Sequence, residues 1–185
     1  MCIRDSFRVI KKELFEKKKS GVFLKKRSAL TNRNKSFGGQ LSIDLERSLN
    51  HSKKQIKSNY IFKTSSGRRF LDLRSICIST SGSAGQSFGA FCNNGMKLIH
   101  TGTCNDGVGK SSCGGEIIIK NPCINAKEKG RQVLIGNFAL FGSTGGRLFV
   151  EGQAGDRFAV RNSGAVSVIE GVGCLLYTSD AADDL

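Results

Sequence analysis

The 185-residue sequence contains no tryptophan, a single proline at Pro122, two tyrosines and two histidines. One proline excludes a collagen-like or polyproline architecture. No uninterrupted run of eighteen apolar residues occurs, so no segment reads as a membrane-spanning helix. With His51 and His100 as the only imidazoles, histidine-dependent catalysis has two candidates at most. Acidic residues are also scarce, 15 against 29 lysines and arginines, for a formal net charge of +14.

Glycine is plentiful. There are 23, and all but Gly21, Gly38, Gly39 and Gly67 lie at or after Gly82. In the same half, apolar residues recur every twenty positions at Ile78, Leu98, Ile118, Phe138 and Phe158. Short runs surround them: Ile76 to Ser79, Met96 to Ile99, Glu116 to Lys120, Val133 to Ile135, Phe138 to Phe141, Arg147 to Val150, Phe158 to Val160 and Val166 to Ile169. Runs of this length between glycines read as strands. A period near twenty fits stacked solenoid rungs, each unable to bury its inner face alone. The pattern therefore predicts a mainly β fold over 76–173, a parallel β-helix, with an antiparallel β-sandwich as the open alternative. Corner glycines are expected at positive φ. The structural positions expected of the fold are Gly82, Gly85, Gly89, Gly102, Asp106, Gly109, Gly115, Gly136, Gly142, Gly155, Arg157, Arg161, Asn162, Gly164 and Gly171. Arg161 and Asn162 are expected to pin the corner before Gly164, the asparagine by bonding local backbone.

Upstream, Phe7, Ile10 and Leu14 fall at helical spacing ahead of Lys17 to Lys19, which predicts an amphipathic helix over 7–19. Leu41, Leu45 and Leu49 predict a second helix from Gln40 to Asn50, with its apolar stripe packed on the β-helix or a neighbour. Asn50 to Ser58 reads as a polar surface loop.

Three motifs suggest chemistry and lack its requirements. Gly85-Gln-Ser-Phe-Gly89 has the spacing of a nucleophile elbow, but the strand-turn-helix setting is missing and His100 follows Ser87 too closely. Gly107-Val-Gly-Lys-Ser111 matches the end of a phosphate loop, yet Cys104 occupies the place of its first glycine. A dinucleotide fingerprint over the same residues fails at Ser112. Of the seven cysteines, the interior Cys77, Cys92, Cys104, Cys113 and Cys123 form no C-x-x-C pair, so they read as reduced packing residues rather than metal or cluster ligands.

Several segments resemble the C-terminal glycine-repeat domain of the glutamate synthase large subunit. These are Gly82-Ser-Ala-Gly-Gln-Ser-Phe-Gly-Ala-Phe91, Asn105-Asp-Gly-Val-Gly-Lys110, Gly114-Gly-Glu-Ile-Ile-Ile119, Ile135-Gly-Asn-Phe-Ala-Leu-Phe-Gly142, and Arg157 to Ala165 running on to Glu170-Gly-Val-Gly173. Leu30 to Ser42 resembles the segment leading into that domain, and Ser52 to Arg74 departs from the family as a longer basic stretch. The resemblance implies a right-handed parallel β-helix preceded by one or two short helices. It also implies a structural role inside an oxidoreductase that makes glutamate from glutamine and 2-oxoglutarate. FMN and an iron–sulfur cluster are then expected in other domains, with no catalytic, cofactor or metal residue in this stretch. The implied partners are the amidotransferase and FMN-binding domains of the same chain, with a small subunit or ferredoxin as electron source, in the cytoplasm or a plastid. A subunit of formylmethanofuran dehydrogenase carries a similar repeat and stays open. So does a freestanding basic β-helix that binds polyanions.

Both termini read as foreign. Back-translated, Met1-Cys-Ile-Arg-Asp5 and Cys174-Leu-Leu-Tyr-Thr-Ser179 are reverse complements, which resembles a sequencing adapter. Segments 1–6 and 174–185 are therefore expected to be artefacts. Without their Arg4, Asp5, Asp180, Asp183 and Asp184 the net charge becomes +17. Residues 7–75, the basic lead-in, hold 19 basic and 5 acidic residues, whereas 76–173 hold 9 and 6. The basic runs carry few aromatics and no nucleic-acid module, which argues against a nucleic-acid partner and for a solvated or docked surface.

Overall fold

A computed structural model of the protein describes residues 22–51, 60–73, 75–122 and 131–173. The helix expected over 7–19, Cys123, most of the Asn50 to Ser58 loop and both terminal segments lie outside these residues. The elements are β1 (Val22–Leu30), α1 (Gly39–Asn50), β2 (Ile61–Lys63), β3 (Arg69–Leu71), β4 (Ile76–Ala84), β5 (Met96–Cys104), β6 (Cys113–Lys120), β7 (Val133–Ile135), β8 (Gly145–Ala154) and β9 (Val166–Val172).

All pairings of the large sheet are parallel: β1 on β4, β4 on β5, β5 on β6, β6 on β8, and β8 on β9. Sequential strands that pair in parallel, with no helix among the described residues after Ile76, define a solenoid rather than a sandwich. The inner column reads Ile78, Leu98, Ile117, Leu148 and Ser167, and beside it Thr80, His100, Ile119, Val150 and Ile169. Leu98, Ile119, Leu148 and His100 are wholly buried. Each large aliphatic so placed contributes about 1.5–3 kcal/mol, and no single rung could cover both sides of it.

The register differs from a strict twenty-residue repeat. Ile118 pairs with Ile99 on the outward side, and Leu98 meets Ile117 instead. The next partner of Ile117 is Leu148, and β7 lies between them in sequence, with Ile135 paired to Cys104 on one side and Ala154 on the other. Phe138 to Phe141 and Phe158 to Val160 are not strands. They form corners, in which Ala139, Leu140, Phe158 and Ala159 are buried and Phe138, Phe141 and Val160 are half-buried.

The lead-in carries more strand than its composition suggests. β1 pairs with β4 despite its lysines and arginine, and β2 and β3 make an antiparallel hairpin within the segment that departs from the family. α1 is the helix read from Leu41, Leu45 and Leu49, all of them buried. Among the described residues it is the only helix.

Candidate functional site

Every rung turns through a five-residue corner in which alternate residues take positive φ: Ser87, Gly89 and Phe91; Gly107, Gly109 and Ser111; Phe138, Leu140 and Gly142; Arg157, Ala159 and Arg161. The second residue of each corner is not at positive φ and sends its side chain inward, as Phe88, Val108, Ala139 and Phe158 do, whereas the fourth is Ala90, Lys110, Phe141 or Val160, the last three only half-buried. Reversing the backbone hand at each step turns every second amide to the opposite side from the one two residues before it. The first and fifth N–H of a corner donate to the rung ahead, as Gly107 does to Asn137 (2.9 Å) and Ser111 to Phe141 (2.9 Å). The third donates to the rung behind, as Gly109 does to Phe88 (2.9 Å). Corners are thus laddered like strands. This explains how nonglycine residues persist at positive φ, where each costs roughly 1–2 kcal/mol.

Ser36-Phe37-Gly38 opens the series. Ser36 and Gly38 have positive φ, and the Phe37 ring stacks on Phe88 at 5.6 Å. Where the next corners take a fifth residue, α1 begins. The sequence pair Lys35-Ser-Phe-Gly and Gln86-Ser-Phe-Gly carries this relation.

Among the glycines named from sequence, Gly82, Gly89, Gly102, Gly109, Gly115 and Gly142 hold positive φ, whereas Gly85, Gly136, Gly155, Gly164 and Gly171 do not. Close approach restricts most of the latter group. A Cβ on Gly85 would lie 2.5 Å from the Asn32 carbonyl oxygen, and one on Gly164 would lie 2.5 Å from that of Thr144. Asp106 accepts a bond from Asn137 N–H (2.8 Å), and the Asn137 side chain accepts one from Asp156 N–H (2.9 Å), so a polar column runs along this edge. Asn162 closes the loop ahead of β9, accepting from Ala165 N–H (2.9 Å) and donating to Ala165 O (2.8 Å). Arg161 makes no such bond; its guanidinium lies 5.9 Å from the centre of the Phe141 ring. Arg157 is exposed beside it.

The chemistry-like motifs resolve into this architecture. The amides of Gly107, Gly109, Lys110 and Ser111 are all bonded to carbonyl oxygens, which leaves none of the four for a phosphate. Ser87 N–H is bonded to Asp106 O within a corner. His100 lies against Phe88, with Nδ1 2.9 Å from the Thr80 hydroxyl and Nε2 within 3.1 Å of two carbonyl oxygens, those of Gly82 and Thr103. Nε2 must therefore carry the proton, and burial holds the imidazole below its ordinary pKa. Burial pushes the Cys92 thiol up to about 12 and raises Cys104 as well. Among the described residues no three His, Cys, Asp or Glu side chains converge as metal ligands.

Sequence reasoning missed one constellation. Glu46 on α1 receives bonds from Arg68 of the hairpin turn (2.9 and 3.2 Å), Asn93 (2.8 Å) and Asn50 (3.0 Å). Burial pushes the carboxyl up, but these bonds outweigh it and hold the group below its ordinary range. Arg68 also reaches the Cys113 sulfur at 3.8 Å. The cluster borders a cavity of about 660 Å³ that also takes in Ile43, His51 and Phe91. No local motif announces it, because its members come from three separate segments.

The fold is a parallel β-solenoid whose corners alternate in backbone hand at every second residue, a pattern that favours glycine at positions i, i+2 and i+4. A family model described as the GXGXG motif matches residues 9–177, and the chain belongs to that family. It is 58% identical over 92 residues to a ferredoxin-dependent glutamate synthase of Antithamnion sp., covering 50% of this chain and 6% of that protein. It is 49% identical over 107 residues to an NADH glutamate synthase of Schizosaccharomyces pombe, covering 58% and 5%. With an NADPH glutamate synthase large chain of Azospirillum brasilense the figures are 50% over 98 residues, covering 53% and 6%. The chain thus spans only a small part of each of these relatives.

Proposed function

We propose that this chain is the bracing segment of a glutamate synthase, a non-catalytic spacer between the domain that releases ammonia from glutamine and the one that uses it on 2-oxoglutarate. Ammonia escaping into water would be protonated and diluted, so coupled turnover needs two active sites at constant separation and orientation. The observation that supports this reading is the double ladder. Strands and corners are both bonded rung to rung, so bending the stack breaks backbone bonds on two sides at once. FMN and an iron–sulfur cluster belong, on this reading, to other domains of the whole enzyme. Its site of action is the cytoplasm or a plastid.

The test uses the whole enzyme carrying this segment. Replacing Gly102 by alanine should raise the number of glutamines hydrolysed per glutamate formed, while glutamine hydrolysis itself continues. An unchanged ratio in a variant whose stack is measurably loosened would refute the brace. The isolated chain should show neither glutaminase nor synthase turnover.

A further inference from the structure

The last described corner is the one of the four with a cation at both outer positions. Those places hold Ser87 and Phe91, Gly107 and Ser111, and Phe138 and Gly142 in the other three corners, and Arg157 and Arg161, at φ 57° and 56°, in the last. Each holds a long cationic side chain where glycine would be relaxed, at a cost of roughly 1 kcal/mol or more. Strain retained at exposed positions directs attention to what the side chains do there. Both stand beside a cavity of about 350 Å³ lined by Lys110, Phe138, Phe141, Arg157 and Val160. Lys110 Nζ lies 6.0 Å from the centre of the Phe141 ring and the Arg161 guanidinium 5.9 Å from it. Among the described residues none of the three cations forms a salt bridge.

The geometry points to this corner as a docking groove for an extended acidic polypeptide segment. Lys110 stands two rungs from the arginines, about 9.5 Å along the stack. Carboxylates three residues apart on a polyproline II segment share one face and are separated by about 9 Å, so one such segment reaches both ends of the groove while its methylene stems lie on Phe138 and Val160. A nucleic-acid strand suits the site less well. A duplex strand presents one phosphate per roughly 3.4 Å of helix axis, a denser row of charge than three cations over about 9.5 Å match. Bases need a free aromatic face to stack on, and Lys110 and Arg161 both lie close to Phe141.

The test is anisotropy of a fluorescein-labelled oligoglutamate peptide titrated with the full chain. Joint reversal of Arg157→Glu and Arg161→Glu should weaken binding about tenfold, the effect of roughly 1.4 kcal/mol. The pair Lys35→Glu and Lys63→Glu, which changes net charge equally at exposed sites away from the groove, should alter it less than twofold. Equal weakening by both pairs, or by neither, overturns the proposal. Carbodiimide coupling of the same peptide to the unaltered chain provides a readout that does not depend on how the variants fold. Coupling concentrated on Lys110 supports the groove, and coupling concentrated on other lysines overturns it. If oligothymidylate displaces the peptide, protects Lys110 and binds more tightly, the occupant is a nucleic acid and the acidic-polypeptide assignment is wrong.

Discussion

The stack from Ile76 to Val172 and the clip made by α1 and the β2–β3 hairpin are held by different forces. In the stack, backbone bonds nearly everywhere and columns of buried side chains repeat the same contacts from rung to rung. In the clip, Leu41, Leu45 and Leu49 of the helix and Leu71 of the hairpin supply buried apolar contact, and one polar knot around Glu46 ties helix, hairpin and stack together. A repeated architecture spreads its stability over many equivalent positions and is intolerant wherever two backbones meet. A knot concentrates its stability in a few side chains that are partly exposed and sensitive to acid.

The sharpest break in that contrast is Gly102→Val. The Cβ would sit 2.0 Å from the Gly82 carbonyl oxygen at φ 137°, so the stack should lose more than about 4 kcal/mol and the chain should fail to yield a cooperative thermal melt. A melt within a few degrees of the parent would show that rungs can separate locally. Acid should then divide the two regions. His100 is neutral and buried, so the stability it carries is complete above its ordinary pKa of 6.5 and is lost as pH falls from there towards its lowered native value, by at most about 1.4 kcal/mol per pH unit. Glu46 also has a lowered native pKa, but its contribution survives down to its ordinary 4.5 and is lost only below that. Hydrogen exchange followed downward from neutral pH should loosen β5 before α1; the reverse order would contradict both assignments.

Arg68→Ala should cost about 1 kcal/mol. It strands the Glu46 carboxylate, but the pair is 40% and 31% exposed and therefore well screened. Proteolysis should quicken at the hairpin while β4 to β9 keep their protection, and equal loss in both regions would mean that the clip is part of the stack. The smallest effects compare neighbours. Asn162→Ala should destabilise by about 1 kcal/mol through its lost backbone bonds, whereas Arg161→Ala should remain within about 0.5 kcal/mol. If the ranking were inverted in thermal melts, the arginine would be the pin.

The strand positions after Ile76 and the helix near Leu45 were legible because apolar spacing reports burial directly. The corners were only half legible. Phe138 and Leu140 adopt positive φ through stacking on adjacent rungs, and nothing in a phenylalanine or leucine announces that conformation; their apolar character led Phe138 to Phe141 to be read as strand. Gly85 and Gly164 were expected at positive φ, yet what excludes a side chain there is a carbonyl oxygen of the preceding rung. β1 was hidden because lysine and arginine are poor strand markers, and the Glu46 knot because its partners converge only after folding.

The alternation of hand in the corners has one more consequence. Only the first, third and fifth amides of a corner bond to other rungs, so deleting or inserting a single corner residue would put in their place amides that bond within the corner, as that of Lys110 does to Gly107 O. Length variation is therefore quantised. The length of the stack can change only in whole steps of about 4.8 Å, like teeth on a rack.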